Sequence, residues 1–224
     1  MTESVLIVAA HADDEALGVG GTLARHAAAG DSLACVLMTD GVGARGDDRD
    51  AEITRRQHAR DDAAKILGIQ QFEQHNFPDN QLDSVPLLQL VQAVEAVIAT
   101  HQPTVVYTHY AHDLNIDHRR TFQATLTACR PQAGHPVRAI YSFEVPSATE
   151  WAGDHLGPGF IPDTLVDISE TFAHKRKALA AYHEEMRAAP HPRSIESITA
   201  LATVRGHSVG VRYAEGLKTV RVLR

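Results

Sequence analysis

Short apolar runs alternate with amphipathic stretches through the first two thirds of the chain. Residues 4–10 and 33–39 are apolar at nearly every position, the pattern of strands covered on both faces, and a further strand is expected at 104–108 (TVVYT). Weaker strand signals lie at 71–76, 139–145 and 165–168. Between them, apolar residues recur at helical spacing. The series Leu87, Leu88, Val91, Val94, Val97 and Ile98 predicts one helix, and Phe122, Leu126 and Cys129 predict another that begins near His118 and ends before Pro131. Further helices are expected at 20–29, closed by Gly30, and at 51–67, closed by Gly68. Ser169 is expected to cap a long helix to about residue 187, and a last helix covers 194–205.

Strands alternating with helices at this spacing predict βαβ units and an α/β fold, a Rossmann-like, doubly wound and mainly parallel sheet with helices on both faces. In the strand order 3-2-1-4-5, the first and fourth strands are neighbours, and ligands bind in the crevice at their carboxyl ends. The chain of 224 residues suits one domain (1–224). Its part from about residue 146 onward is expected to add helices that help close the crevice.

Both loops at that crevice carry chemistry. The first strand runs into His11, Asp13, Asp14 and Glu15, and the fourth runs into the stretch 109–117, HYAHDLNID, with His118 just beyond. Gathered carboxylates are costly unless a positive charge sits among them, and a divalent cation supplies it. His11, Asp14 and His118 form a two-imidazole, one-carboxylate set that suits a catalytic zinc site with an open position. Water there would fall to a pKa of about 7 and become a nucleophile, with Asp13 as general base. Asp117 would orient a ligand imidazole from behind. Taken singly, Asp13 or Glu15 would serve equally well as a helix cap, and His109, His112 and His118 as solvated loop residues. The two loops predicted to face each other favour the metal reading.

Composition narrows the partners. A formal net charge of −7, with no basic run, argues against nucleic acid. Cys35 and Cys129 are isolated, and residues 1–4 lack the positive start of a signal peptide. No apolar run is long enough to span a bilayer. A cytoplasmic protein without a membrane partner is expected, and a homo-oligomer is compatible with the sequence.

The strings AHADDE (10–15), LGVGGTLARHAAAGD and HDLNIDHR (112–119) resemble the paired motifs of the LmbE/PIG-L family of zinc-dependent N-acetyl-sugar deacetylases, and FPDNQLD, SFEVPSATEW and EMRAAPHPRS sit where relatives have similar strings. The resemblance implies zinc on His11, Asp14 and His118, Asp13 as base, and attack of a zinc-bound water that frees acetate from a small-molecule N-acetylated amino sugar. Fe²⁺ or another divalent ion would also suit the ligand set. Arg45, Asp79, Asn80 and His109 then read as substrate contacts.

Two positions depart from the family pattern. Ala12 replaces the usual proline of the first motif. Asn115 stands where many relatives carry a histidine that acts as general acid or oxyanion stabiliser. Asparagine can donate to an oxyanion but cannot protonate a leaving amine. His109, His112, His191 or Asp13 itself would have to do so, and His191, in a proline-stiffened turn, is favoured.

Two other classes fit the sequence less well. Gly18, Gly20 and Gly21 suggest a nucleotide-binding fingerprint, but Leu23 stands where a glycine or alanine is needed. A non-catalytic metal-binding relative is the other alternative, against which the retained Asp13 argues.

Overall fold

The computed structural model describes residues 2–41 and 49–224. Five parallel strands come first: β1 (Ser4–Ala9), β2 (Ser32–Thr39), β3 (Gln71–Phe77), β4 (Val105–His109) and β5 (Ala139–Phe143). Two antiparallel strands, β6 (Thr164–Asp167) and β7 (Ala214–Val222), complete a seven-stranded sheet of order β3-β2-β1-β4-β5-β7-β6. The expected doubly wound core, 3-2-1-4-5, is therefore present. β7, which the sequence reading missed, inserts between β5 and β6.

The helices are α1 (Asp14–Ala28), α2 (Arg49–Leu67), α3 (Leu87–His101), α4 (Ile116–Ala128), the short α5 (Thr149–Ala152), α6 (Phe172–Ala181) and α7 (Ile195–His207). Side chains of β1 alternate between two apolar layers, which is why the strand reads as continuously apolar. Val5, Ile7 and Ala9 pack with residues of α1, α2, α6 and α7, while Leu6 and Val8 pack with residues of α3 and α4. Each fully buried Leu or Ile contributes roughly 1.5–3 kcal/mol. No described helix is long and apolar enough to cross a membrane.

Two helices differ from expectation. α1 begins at Asp14 rather than near Gly20, so Asp14 and Glu15 lie in its first turn. Its glycines mislead as a start signal because they serve packing. A Cβ on Gly18 would lie 2.3 Å from the Phe143 ring, and one on Gly21 would lie 2.8 Å from Ile168. They cradle no phosphate, which removes the feature that suggested a nucleotide. α6 starts at Phe172, because Ser169 bonds Asp167 Oδ1 rather than capping the helix, and ends at Ala181, short of the expected 187.

α1 is kinked at Val19 (φ −133°, ψ 17°). The groups exposed there are taken up by a buried ion pair from the C-terminal part. Glu215 on β7 accepts from Gly21 N (2.9 Å), Thr22 N (2.7 Å) and Thr22 Oγ1 (2.6 Å). Lys175 Nζ donates to Leu17 O (2.8 Å) and to Glu215 Oε1 (2.6 Å). Removing one partner leaves an uncompensated charge, at a cost of about 3–5 kcal/mol. Lys175→Met is expected to lower Tm by about 10 °C, and Lys175→Met combined with Glu215→Gln, which removes the charge yet keeps an acceptor for the Gly21 and Thr22 donors, by less. A thermal melt in which the double variant is the less stable would contradict this account of the pair.

Candidate metal centre

β1 and β4 run side by side, with Val8 opposite Thr108, so the loops after them meet. His11 leaves β1, Asp14 opens α1, and His118 sits in the first turn of α4, whose N-cap is Asn115. One ligand atom from each of His11, Asp14 and His118 lies within 4.8 Å of the others. Asp14 and His118 are buried, and His11 is partly so.

The donor atoms are arranged as a cation site requires. His118 Nε2 lies 3.4 Å from Asp14 Oδ1, and His11 Nδ1 lies 3.3 Å from Asp14 Oδ2. Asp14 Oδ1 and His118 Nε2 are both buried and have no hydrogen-bond partner among the described residues. Two facing, unsatisfied lone-pair atoms of this kind fit a divalent cation and are otherwise costly.

The other nitrogen of each imidazole lies close to a carboxylate, which orients the ring. His118 Nδ1 lies 3.1 Å from Asp113 Oδ1. Asp113 is in turn held by the Thr149 hydroxyl (2.5 Å) and the Asn115 amide (2.9 Å). His11 Nε2 lies 3.1 Å from Asp117 Oδ2 and 3.2 Å from Asp79 Oδ1. Asp117 is fixed by the amides of Asn80 (2.7 Å) and Leu82 (2.9 Å).

Charge follows from this packing. Burial alone would raise Asp14, yet the neighbouring His118 and His109 hold it well below the usual carboxylate range. Burial works against a charged His118, but Asp14 and Asp113 raise it to about 9. His11 is likewise raised against burial by Asp117, Asp14 and Asp79. The cluster favours positive charge at its centre.

Asp13 is 3% exposed and stands at the rim. Burial raises its carboxyl to about 7, against the pull of Arg193. Arg193 Nη1 donates to Asp13 Oδ2 at 2.7 Å, and its Nε donates to Ser147 Oγ at 2.8 Å. A cavity of about 140 Å³ opens here, lined by residues including Asp13, Asp79, Asn80, Asn115, Glu185 and Arg193.

Several expectations change in detail. His109 is fully buried, accepts from the Ala10 amide (2.9 Å), and stacks on His118 with ring centroids 3.9 Å apart. Burial depresses it to about 4. The ring is enclosed behind His118 rather than open to the cavity. Asp79 reaches His11 as well as the cavity. Asn115 spends its carbonyl on the Asp117 amide (2.8 Å) and points its amide nitrogen at Asn80 Oδ1 (3.3 Å). His191 packs edge-on against Trp151 and accepts from the Arg193 amide. Arg193, two residues on, is the member of that turn that reaches Asp13. Arg45 lies outside the described residues.

Sequence reasoning missed Asp113 and Arg193. Asp113 stood in a quoted motif, but Asp117 was nearer to His118 in the chain. Arg193 was passed over for His191 beside it.

A family model described as PIG-L, GlcNAc-PI de-N-acetylase, matches residues 6–129. "Uncharacterized deacetylase YaiS" of Escherichia coli is 30% identical over 187 residues, covering 81% of this chain and 91% of that protein. "Probable N-acetyl-alpha-D-glucosaminyl L-malate deacetylase 2" of Bacillus cereus is 28% identical over 197 residues, covering 84% and 86%. The solved N,N'-diacetylchitobiose deacetylase of Pyrococcus horikoshii superposes with a TM-score of 0.77 at 21% identity, covering 97% and 83%, and shares the fold.

Wild-type protein loaded with Zn²⁺ and dialysed is expected to retain one ion per chain by elemental analysis, and His118→Ala none. Asp113→Asn should weaken affinity about 10- to 100-fold. Full zinc stoichiometry in His118→Ala would remove that residue from the ligand set.

Proposed function

Because the chain belongs to the PIG-L family of de-N-acetylases, we propose that it is a metal-dependent hydrolase that removes the acetyl group of a small N-acetylated amino-sugar compound. The observation that carries this reading is the facing pair of unsatisfied atoms on Asp14 and His118, beside a buried carboxylate on Asp13. The names of the Bacillus and Pyrococcus proteins support an N-acetylated sugar as the substrate class.

His11, Asp14 and His118 would hold the ion, with zinc favoured by the donor set and Fe²⁺ the nearest substitute. A divalent cation bound there supplies Lewis acidity, polarising the amide carbonyl and acidifying water. Asp13 takes the proton of the attacking water as general base. Arg193 orients that carboxylate through its 2.7 Å contact. Asn115 and Asn80 present amides to the cavity and suit sugar hydroxyls. Asp13 lines the cavity and His191 does not, so the proton taken by Asp13 is the one we assign to the leaving amine. The segment beyond residue 146 closes the site by bringing Glu185 and Arg193 to its mouth.

Acetate release from N-acetylglucosamine, methyl N-acetylglucosaminide and N,N'-diacetylchitobiose tests the reading. Activity is expected on at least one member of the panel, to disappear on chelation and to return with Zn²⁺. Asp13→Asn should keep its zinc but lose about a hundredfold or more in kcat, the contribution of a positioned base. Undiminished turnover by this variant would refute the role given to Asp13.

A further inference from the structure

Asp13 is held at two places, and only one of them is its side chain. Its backbone stands at φ 111°, ψ −27°, a left-handed conformation that a non-glycine residue adopts at a cost of order 1–3 kcal/mol. It is the N-cap of α1, yet its carboxylate makes no capping bond and turns instead to Arg193. Something other than local preference must hold that turn.

The surrounding contacts identify the holder. The Asp13 amide donates to Glu15 Oε2 at 3.2 Å. The other carboxylate oxygen, Glu15 Oε1, accepts from the Tyr182 hydroxyl at 2.7 Å. Glu15 is fully buried and Tyr182 is 3% exposed. Among the described residues, the side-chain bonds to Glu15 come from the Asp13 amide and the Tyr182 hydroxyl, and Arg193, which faces Asp13, does not reach it. Burying a carboxylate is costly, and neither the metal ligands nor the base uses this one. Tyr182 is the C-cap of α6, far from Asp13 in sequence, and its own carbonyl accepts from the Glu185 and Met186 amides. Its position is thereby fixed by the C-terminal part of the chain.

We propose that Glu15 and Tyr182 are positioning residues for the base: Tyr182 fixes the Glu15 carboxylate, and that carboxylate holds the Asp13 main chain in its left-handed turn. The proposal rests on the reading of Asp13 as base. Side chain and backbone of the same residue are then clamped from one direction, by Arg193 and by Tyr182 through Glu15. The carboxylate is kept out of the capping position its residue type prefers and is aimed into the cavity.

The test uses Tyr182→Phe, which removes one oxygen, and Glu15→Met, which keeps the shape and loses both acceptors. With zinc-loaded protein and the panel sugar that wild type turns over fastest, Tyr182→Phe is expected to lower kcat about tenfold with KM and zinc content unchanged, and Glu15→Met to lower it further. In an Asp13→Asn background, Tyr182→Phe should have no additional effect. In metal-free protein the Asp13 amide should exchange its hydrogen at least about tenfold faster in Tyr182→Phe than in wild type, as expected when the bond to Glu15 loosens.

Wild-type kcat and wild-type Asp13 amide exchange in Tyr182→Phe would overturn the proposal. So would a loss of kcat equal in the wild-type and Asp13→Asn backgrounds, which marks an effect not routed through Asp13. Should Glu15→Met fail to fold, Tyr182→Phe decides alone. If Asp13→Asn itself turns over normally, the base assignment fails instead, a result distinct from either of the others.

Discussion

A buried carboxylate between two imidazoles is the constraint from which the rest of this architecture follows. Asp14 is wholly removed from water, and each imidazole beside it is backed by further acids. Asp113 stands behind His118, and Asp117 with Asp79 stands behind His11. Such a concentration of negative charge is tolerable only with positive charge at its centre. The backing acids also settle which nitrogen of each ring faces inward. Nδ1 of His11 and Nε2 of His118 then face Asp14, the arrangement expected of imidazoles that could hold a metal ion.

The fold delivers these groups from two loops that are remote in the chain and adjacent in space. That adjacency comes from the reversal of winding between β1 and β4. The C-terminal part then reaches back over the same edge. Lys175 and Glu215 complete the kinked helix that starts at Asp14, Tyr182 meets Glu15, and Arg193 meets Asp13. Stability and chemistry thus share one helix, α1, whose first turn carries the site and whose kink carries the buried ion pair.

The parallel core was legible because strands buried on both faces leave continuous apolar runs, as 4–10 and 33–39 do. β7 was not, since its pattern AEGLKTVRV mixes charges with apolar positions and its partners are antiparallel neighbours from distant segments. Gly18 and Gly21 read as a helix start because spacing alone does not distinguish a loop glycine from one pressed against Phe143 or Ile168. The spacing of His11, Asp14 and His118 and the family resemblance together pointed to the ligand set. What lies behind it was hidden. Whether Asp113 or Asp117 backs His118, and whether His191 or Arg193 faces Asp13, depends on how each loop winds. His109 looked available for substrate because nothing in the chain announces that its ring is stacked under His118.

X-ray absorption at the zinc edge of the metal-loaded protein tests the central claim most directly. A first shell of nitrogen and oxygen near about 2.0–2.1 Å, with outer-shell scattering from two imidazoles and no sulfur, is the expected spectrum. A sulfur shell near about 2.3 Å, or a zinc environment without imidazole scattering, would contradict it.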